Sequence, residues 1–238
     1  MAITAPARPL RQGGPPLPPT AIATVALVMM SLTLPAVLSG GQTYPSPFGD
    51  EGAILDYFRT NPTPVLVTAL LQFAASFPLA IFTATASVRL NRLGVRAPGA
   101  TIALVGGVLA AGAMSISAMM TWALSRPELV EHDELVRMLH DLAFISGGPA
   151  FVVPSGLLVA GIAVPGLLAG LLPRWLAWAG LVIAGVAVLA TLSFAVPALA
   201  FLLPIARFPT LAWLIIVAFR LPKHRAPANQ SPQRGVPA

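Results

Sequence analysis

The run LAFISGGPAFVVPSGLLVAGIAVPGLLAGLL, residues 142–172, decides the fold class of this chain, because its 31 positions hold no charged side chain. A helix of that length measures about 46 Å, whereas the hydrocarbon core of a bilayer is about 30 Å thick. Glycine and proline interrupt the run most densely at Gly147, Gly148 and Pro149. We therefore predict a membrane span that is kinked or broken at these three residues.

The composition of the whole chain also indicates a protein that lies in a lipid bilayer. Hydrophobic residues make up 56% of the 238 positions, charged residues make up 9%, and the mean hydropathy is +0.82. Soluble domains carry roughly a quarter charged residues, so this chain has too few charges to cover a water-facing surface. We predict an all-α, polytopic transmembrane helical bundle whose partner is the lipid bilayer.

Cysteine content and charge distribution exclude other classes. The chain has no cysteine, which excludes disulfides and thiolate metal sites. Its net charge of +6 is spread over short loops and tails instead of one face, so we predict no nucleic-acid partner. Protein partners cannot be named from the sequence.

Six apolar runs are long enough to cross a membrane. The Pro-rich segments 1–20 and 221–238 flank them, and we predict both as disordered cytoplasmic tails around a transmembrane domain, residues 21–220. The first run could instead be a cleaved signal peptide, but it is longer than the hydrophobic region of a typical signal peptide and no A-x-A site follows it. The predicted spans are residues 21–38, 65–88, 101–124, 142–172, 175–196 and 198–219.

The basic residues indicate the orientation. With a cytoplasmic N-terminus, 10 of the 14 Arg and Lys residues lie inside and 4 lie outside. Cytoplasmic loops carry an excess of Arg and Lys. We therefore predict a multi-pass protein of the plasma membrane with both termini in the cytoplasm.

Three stretches of the chain resemble a family of bacterial conserved hypothetical multi-pass integral membrane proteins of unknown function. They are ASVRLNRLGVRAPGATIALVGGVLAAG (86–112), LHDLAFISGGPAFVVPSGLLVAGIAVPGLLAGLLPRWLAWAGLV (139–182) and PIARFPTLAWLIIVAFRLP (204–222). The resemblance covers most of residues 50–223. It implies a six-span membrane fold and no catalytic residue, because the group has no established activity.

His140 and Asp141 lie where a predicted amphipathic helix enters the fourth span, just before the predicted break. A broken helix leaves backbone groups unpaired, and a membrane tolerates this where protein or a water-filled cavity satisfies them. One interpretation is a ligand or ion site at the outer mouth. The other is that His140 and Asp141 only meet the water interface, while glycine and proline permit close helix packing.

Arg207 is the single ionisable residue between Arg174 and Arg220. If the preceding turn is at Pro197, Arg207 lies about ten residues, or ~15 Å, into the last span, where a charge is usually functional. If the turn is at Pro204, Arg207 lies at the outer surface. In either case it is on the same side of the membrane as Asp141, and we hypothesise that the two form an ion pair.

No residue pattern predicts an enzyme. The chain lacks the GxSxG, HExxH, Walker and GxGxxG motifs, and we predict no catalytic, cofactor-binding or metal-binding residue. The acidic cluster around His132 is better explained as a solvated helix face than as a cation site. The function we predict is binding or passing a small solute through a pocket beside the fourth span. The alternative is an accessory or regulatory subunit of a larger membrane complex.

Overall fold

The computed structural model describes residues 14–223, and these contain helices and loops but no strand. Two 3₁₀ segments, Ala190–Phe194 and Pro197–Phe201, connect the last two α-helices. The nine α-helices of this described range are α1 (Leu17–Leu38), α2 (Glu51–Thr60), α3 (Pro62–Arg92), α4 (Gly99–Ala123), α5 (Pro127–Val130), α6 (Asp133–Gly147), α7 (Pro149–Leu168), α8 (Arg174–Leu189) and α9 (Leu202–Arg220).

Six helical segments are long and apolar enough to cross a membrane, which confirms the predicted all-α polytopic bundle. They are α1, α3, α4, the α6–α7 pair, α8 with its 3₁₀ extension, and α9 with the 3₁₀ turn before it. Helix α1 begins at Leu17, four residues before the predicted span, because prolines in the first turn break no helical hydrogen bond. Most of the two predicted tails, residues 1–13 and 224–238, lies outside the described residues.

Helix α4 is the centre of the bundle, with α3, α6 and α7 packed around it. Helix α1 packs on α3 and α9, and α8 packs on α7 and α9. Because the spans alternate in direction, the bundle has two ends. We call the end that holds the start of α1 and the end of α9 the terminal end, and the opposite end the loop end. The terminal half and the loop half are the halves of the bundle that contain these two ends.

The terminal half is closed by contacts between backbones. A Cβ atom on Gly106 of α4 would lie 2.6 Å from the Leu158 nitrogen of α7, and one on Gly161 of α7 would lie 2.4 Å from the Ala103 nitrogen. Only glycine permits such an approach, and small residues at helix contacts are typical of membrane bundles. The Trp213 indole also donates to the Leu176 carbonyl oxygen at 2.8 Å, which links α9 to α8.

The loop end carries a water-facing cap made by α2 and α5. Helix α2 begins where the Asp50 carboxylate accepts a hydrogen bond from the Ala53 N–H at 2.9 Å. Arg59 of α2 pairs with Asp133 of α6 and donates to the Val130 carbonyl oxygen at 3.1 Å. Under the cap lies a small apolar cluster of Ile54, Tyr57, Phe58, Val65, Leu124, Val130 and Val136.

The fourth span is divided at Gly148, between α6 and α7. Gly148 has the dihedral angles φ −89° and ψ −102°, and α7 begins at Pro149, which has no N–H to donate. The Phe151 N–H bonds to the Gly148 carbonyl oxygen at 3.2 Å. This N–H is the donor that a continuous helix would supply to the Gly147 carbonyl. The break therefore frees the Gly147 carbonyl for another partner.

Candidate functional site

A cavity of about 480 Å³ lies in the loop half, between α1, α3, α4, α6 and α9. Its volume falls within the range of ~300–1,000 Å³ that is usual for small-molecule sites. The broken end of α6 forms one wall, and the segment between α1 and α2 reaches over it at Tyr44 and Pro45. The cavity therefore lies beside the fourth span.

Arg207 of α9 lines this cavity and donates a hydrogen bond to the Gly147 carbonyl oxygen that the helix break frees. Its guanidinium carbon lies 5.0 Å from the centre of the Phe151 ring, so the cation also rests on an aromatic face. The turn before α9 falls at residues 195–196, and Arg207 is the sixth residue of the helix. At 1.5 Å per residue it lies about 8 Å from the loop end of α9.

The cavity has a positive charge that no carboxylate of the described chain balances. All eight acidic residues lie within the described range, and none of them lines the cavity. The three ion pairs of this range join Arg59 to Asp133, Arg126 to Glu128 and Arg137 to Asp141. The Arg207 guanidinium is thus held by a carbonyl dipole and an aromatic ring.

His140 lies at the loop-end side of the cavity and is 1% exposed. Its Nε2 lies 3.2 Å from the Pro45 carbonyl oxygen, which can only accept, so Nε2 carries the proton. The ring packs against Tyr44 and Phe58, with centroid distances of 5.7 and 5.2 Å. Its Nδ1 has no hydrogen-bond partner among the described residues. His140 therefore fixes the segment that covers the cavity.

Asp141 does not belong to the cavity, and the hypothesised Arg207–Asp141 ion pair is wrong. The Asp141 carboxylate lies 3.5 Å from the Arg137 Nε on the outer face of α6. Consecutive residues of a helix point about 100° apart, so the helix face that buries His140 turns Asp141 outward. Of the three polar residues predicted to form a site, His140 and Arg207 line the cavity together and Asp141 lies outside it.

Gln72 of α3 is a cavity residue that the sequence interpretation missed. Its Oε1 is buried and has no hydrogen-bond partner among the described residues. Gln72 and Arg207 also line the small inner extension of the cavity. A signal was present in the sequence, because Gln72 is the single amide in the apolar run 65–88, and a polar side chain within a span is a functional candidate.

The arrangement suits recognition of a ligand. Arg207 offers several N–H donors in one plane, a geometry that matches a carboxylate or a phosphate group. Gln72 adds an amide and His140 adds a ring nitrogen. Within residues 14–223 no group of three or more His, Asp and Glu side chains could hold a metal ion.

Comparisons with known proteins identify no relative of this chain. The chain matches no family model, no curated protein and no solved structure. The family resemblance based on residues 86–112, 139–182 and 204–222 stays a prediction. The site must therefore be interpreted from its own geometry, as a cationic cavity in the loop half of a six-span membrane bundle.

Proposed function

We propose that this chain binds a small molecule with an acidic group in the loop-half cavity, as a multi-pass protein of the plasma membrane. The observation that supports this function is the position of Arg207. Its guanidinium lines a cavity of suitable size, and no carboxylate of the described chain lines the same space. An anionic ligand would supply the missing charge.

The stability of the fold gives little reason to keep an arginine at this position. A charged side chain costs about 2.5–3.5 kcal/mol at the centre of a membrane helix, and less for Arg207, which lies about 8 Å from the loop end of α9. The hydrogen bond to the Gly147 carbonyl returns about 1.5–3 kcal/mol, the usual range for a charged donor. The hydrogen bond therefore offsets most of the cost of the charge. The Arg207→Met variant should therefore unfold within about 1 kcal/mol of the wild-type protein, and recognition of charge is the better reason for the arginine.

The close packing of the terminal half supports binding over passage. The contacts at Gly106 and Gly161 leave no room for even one methyl group between α4 and α7. A solute in the cavity could not continue between α4 and α7 without separating these backbones. This contact supports a binding site over a passage.

Charge-selective labelling of an introduced cysteine tests the proposal. The natural chain has no cysteine, so Gln72→Cys places a single thiol inside the cavity. We expect the anionic sulfonatoethyl methanethiosulfonate to react faster than the cationic trimethylammonioethyl reagent, after each rate is divided by the rate with a free thiol. A preference of about tenfold corresponds to ~1.4 kcal/mol, which one unit charge supplies easily in a site of low polarity.

Adding Arg207→Met to Gln72→Cys provides the control, because it removes the charge and keeps a long side chain. The anion preference should disappear in this double variant. Equal rates for the two reagents in Gln72→Cys alone, or a preference that survives without Arg207, would contradict the proposed function.

A further inference from the structure

The mouth of the cavity is formed by lining residues that are also exposed on the outside of the bundle. At the water-facing end these are Thr43 and Tyr44. On the side of the bundle they are Leu32 of α1 and Pro204 and Phe208 of α9. Leu32 is 40% exposed and Phe208 is 44% exposed. The mouth therefore runs from the loop end down between α1 and α9.

This side opening reaches into the lipid region. Leu32 lies six residues before the end of α1, and Phe208 lies six residues after the start of α9. Both are thus about 9 Å below the loop end of their helices. The side chains along the opening are apolar, so it can hold an alkyl chain but offers no partner to a small hydrated ion.

The water-facing part of the mouth is more restricted. The segment between α1 and α2 is fixed to α6 by two side chains. The His140 Nε2 bonds to the Pro45 carbonyl oxygen at 3.2 Å, and the Arg137 guanidinium donates to the Pro47 carbonyl oxygen at 2.8 Å. These bonds hold Tyr44 and Pro45 over the polar part of the cavity. Entry from lipid is the less obstructed route.

We infer that the ligand is an acidic amphiphile, with its acidic head group at Arg207 and its alkyl chain leaving between α1 and α9 into the bilayer. This inference rests on the proposed function, which requires only an acidic group. Charge and shape agree, because the donor-rich guanidinium and the apolar side chains of Leu32 and Phe208 at the side opening line the same cavity.

Native mass spectrometry of the full chain, released from a nonionic detergent, tests the inference. The probes are palmitate, hexadecanol with the same chain length and no charge, and acetate with the charge and no chain. We expect one palmitate per protein at saturation and weaker binding of the other two. A charge-assisted hydrogen bond changes affinity by tenfold or more, so Arg207→Met should reduce palmitate affinity roughly tenfold, and Arg207→Lys should restore part of it.

A block of the side opening tests the route of the chain. Ala36→Trp adds a large ring at a residue that lines the cavity and should weaken palmitate binding. Its control is Val37→Trp at the neighbouring position, which is 75% exposed and does not line the cavity. Elution of each variant from a size-exclusion column at the wild-type position shows that it is folded.

Two results would overturn the inference. If acetate binds as tightly as palmitate and is lost in Arg207→Met, the site takes a soluble anion, and the proposed function survives without the amphiphile. If hexadecanol binds as tightly as palmitate and Arg207→Met changes neither, the acidic head group is wrong, and the proposed function fails with the inference.

Discussion

In the terminal half of the bundle, α4 and α7 meet backbone to backbone at Gly106 and Gly161. In the loop half, the same fourth span is broken at Gly148, and a cavity of about 480 Å³ lies between it and its neighbours. Lipid provides no hydrophobic force to bring helices together, so packing of small residues has to do so. The difference indicates that the terminal half holds the bundle together and leaves the loop half free to keep a charge and a cavity.

The largest expected effect is in the terminal half, and it comes from one added methyl group. Gly106→Ala places a Cβ 2.6 Å from both the Leu158 nitrogen and the Pro154 carbonyl oxygen. These are backbone atoms that cannot rotate away. We expect a loss of about 3 kcal/mol in the free energy of unfolding, the upper part of the usual range for overpacking. Thermal unfolding in a nonionic detergent measures it.

Gly112→Ala is the matched control on the same helix, because a Cβ at Gly112 meets no atom within 4 Å. Alanine is the better helix former, so this variant should match the wild-type stability or exceed it by up to about 1 kcal/mol. Similar stabilities for the Gly106 and Gly112 variants would show that α4 and α7 are not tightly packed, and the contrast between the halves would disappear.

The next effect is expected at the loop end. His140→Leu removes the hydrogen bond to the Pro45 carbonyl and the ring contacts with Tyr44 and Phe58. The hydrogen bond is worth about 1 kcal/mol and an aromatic pair about 0.5–1.5 kcal/mol, so the loss should be about 2 kcal/mol. Released from α6, the covering segment should be cut faster by chymotrypsin after Phe48, which packs on Phe144 of α6 and is followed by Gly49.

His132→Leu serves as the control for this experiment, since His132 is an exposed histidine just before α6. It should leave both the thermal stability and the rate of cleavage after Phe48 unchanged. If the two histidine variants are cleaved at the same rate, His140 does not hold the covering segment in place.

The smallest effect is expected on the outer face of α6. The Arg137–Asp141 pair has both side chains partly exposed, and pairs of this kind at i,i+4 contribute about 0.3–0.5 kcal/mol. A double-mutant cycle with Arg137→Ala and Asp141→Asn should give a coupling energy of this size. The same cycle with Arg207→Met and Asp141→Asn should be additive. Strong coupling between Arg207 and Asp141 would mean that the cavity has a carboxylate after all.

The sequence predicted the number of spans because an apolar run of sufficient length has one stable arrangement in lipid. It did not predict what Arg207 contacts. That depends on the turn at residues 195–196, which is placed by packing of the two 3₁₀ segments against each other and against α7 and α9. The opposite directions of His140 and Asp141 could have been predicted from helix geometry alone. Gln72 was visible as an isolated amide, but its contact with the cavity depends on how α3, α4 and α9 pack.

Accessibility along one helix tests the central claim most directly, because α3 passes through both halves. Gln72→Cys places a thiol in the loop-half cavity, and Thr83→Cys places one in the terminal half, where Thr83 is 0% exposed and packs on Gly107. Both variants are treated with neutral methyl methanethiosulfonate in intact membranes, and denatured samples show that each thiol can react. We expect modification of the cysteine at position 72 and none at position 83. Equal reaction rates at the two positions would contradict a bundle that is open in its loop half and closed in its terminal half.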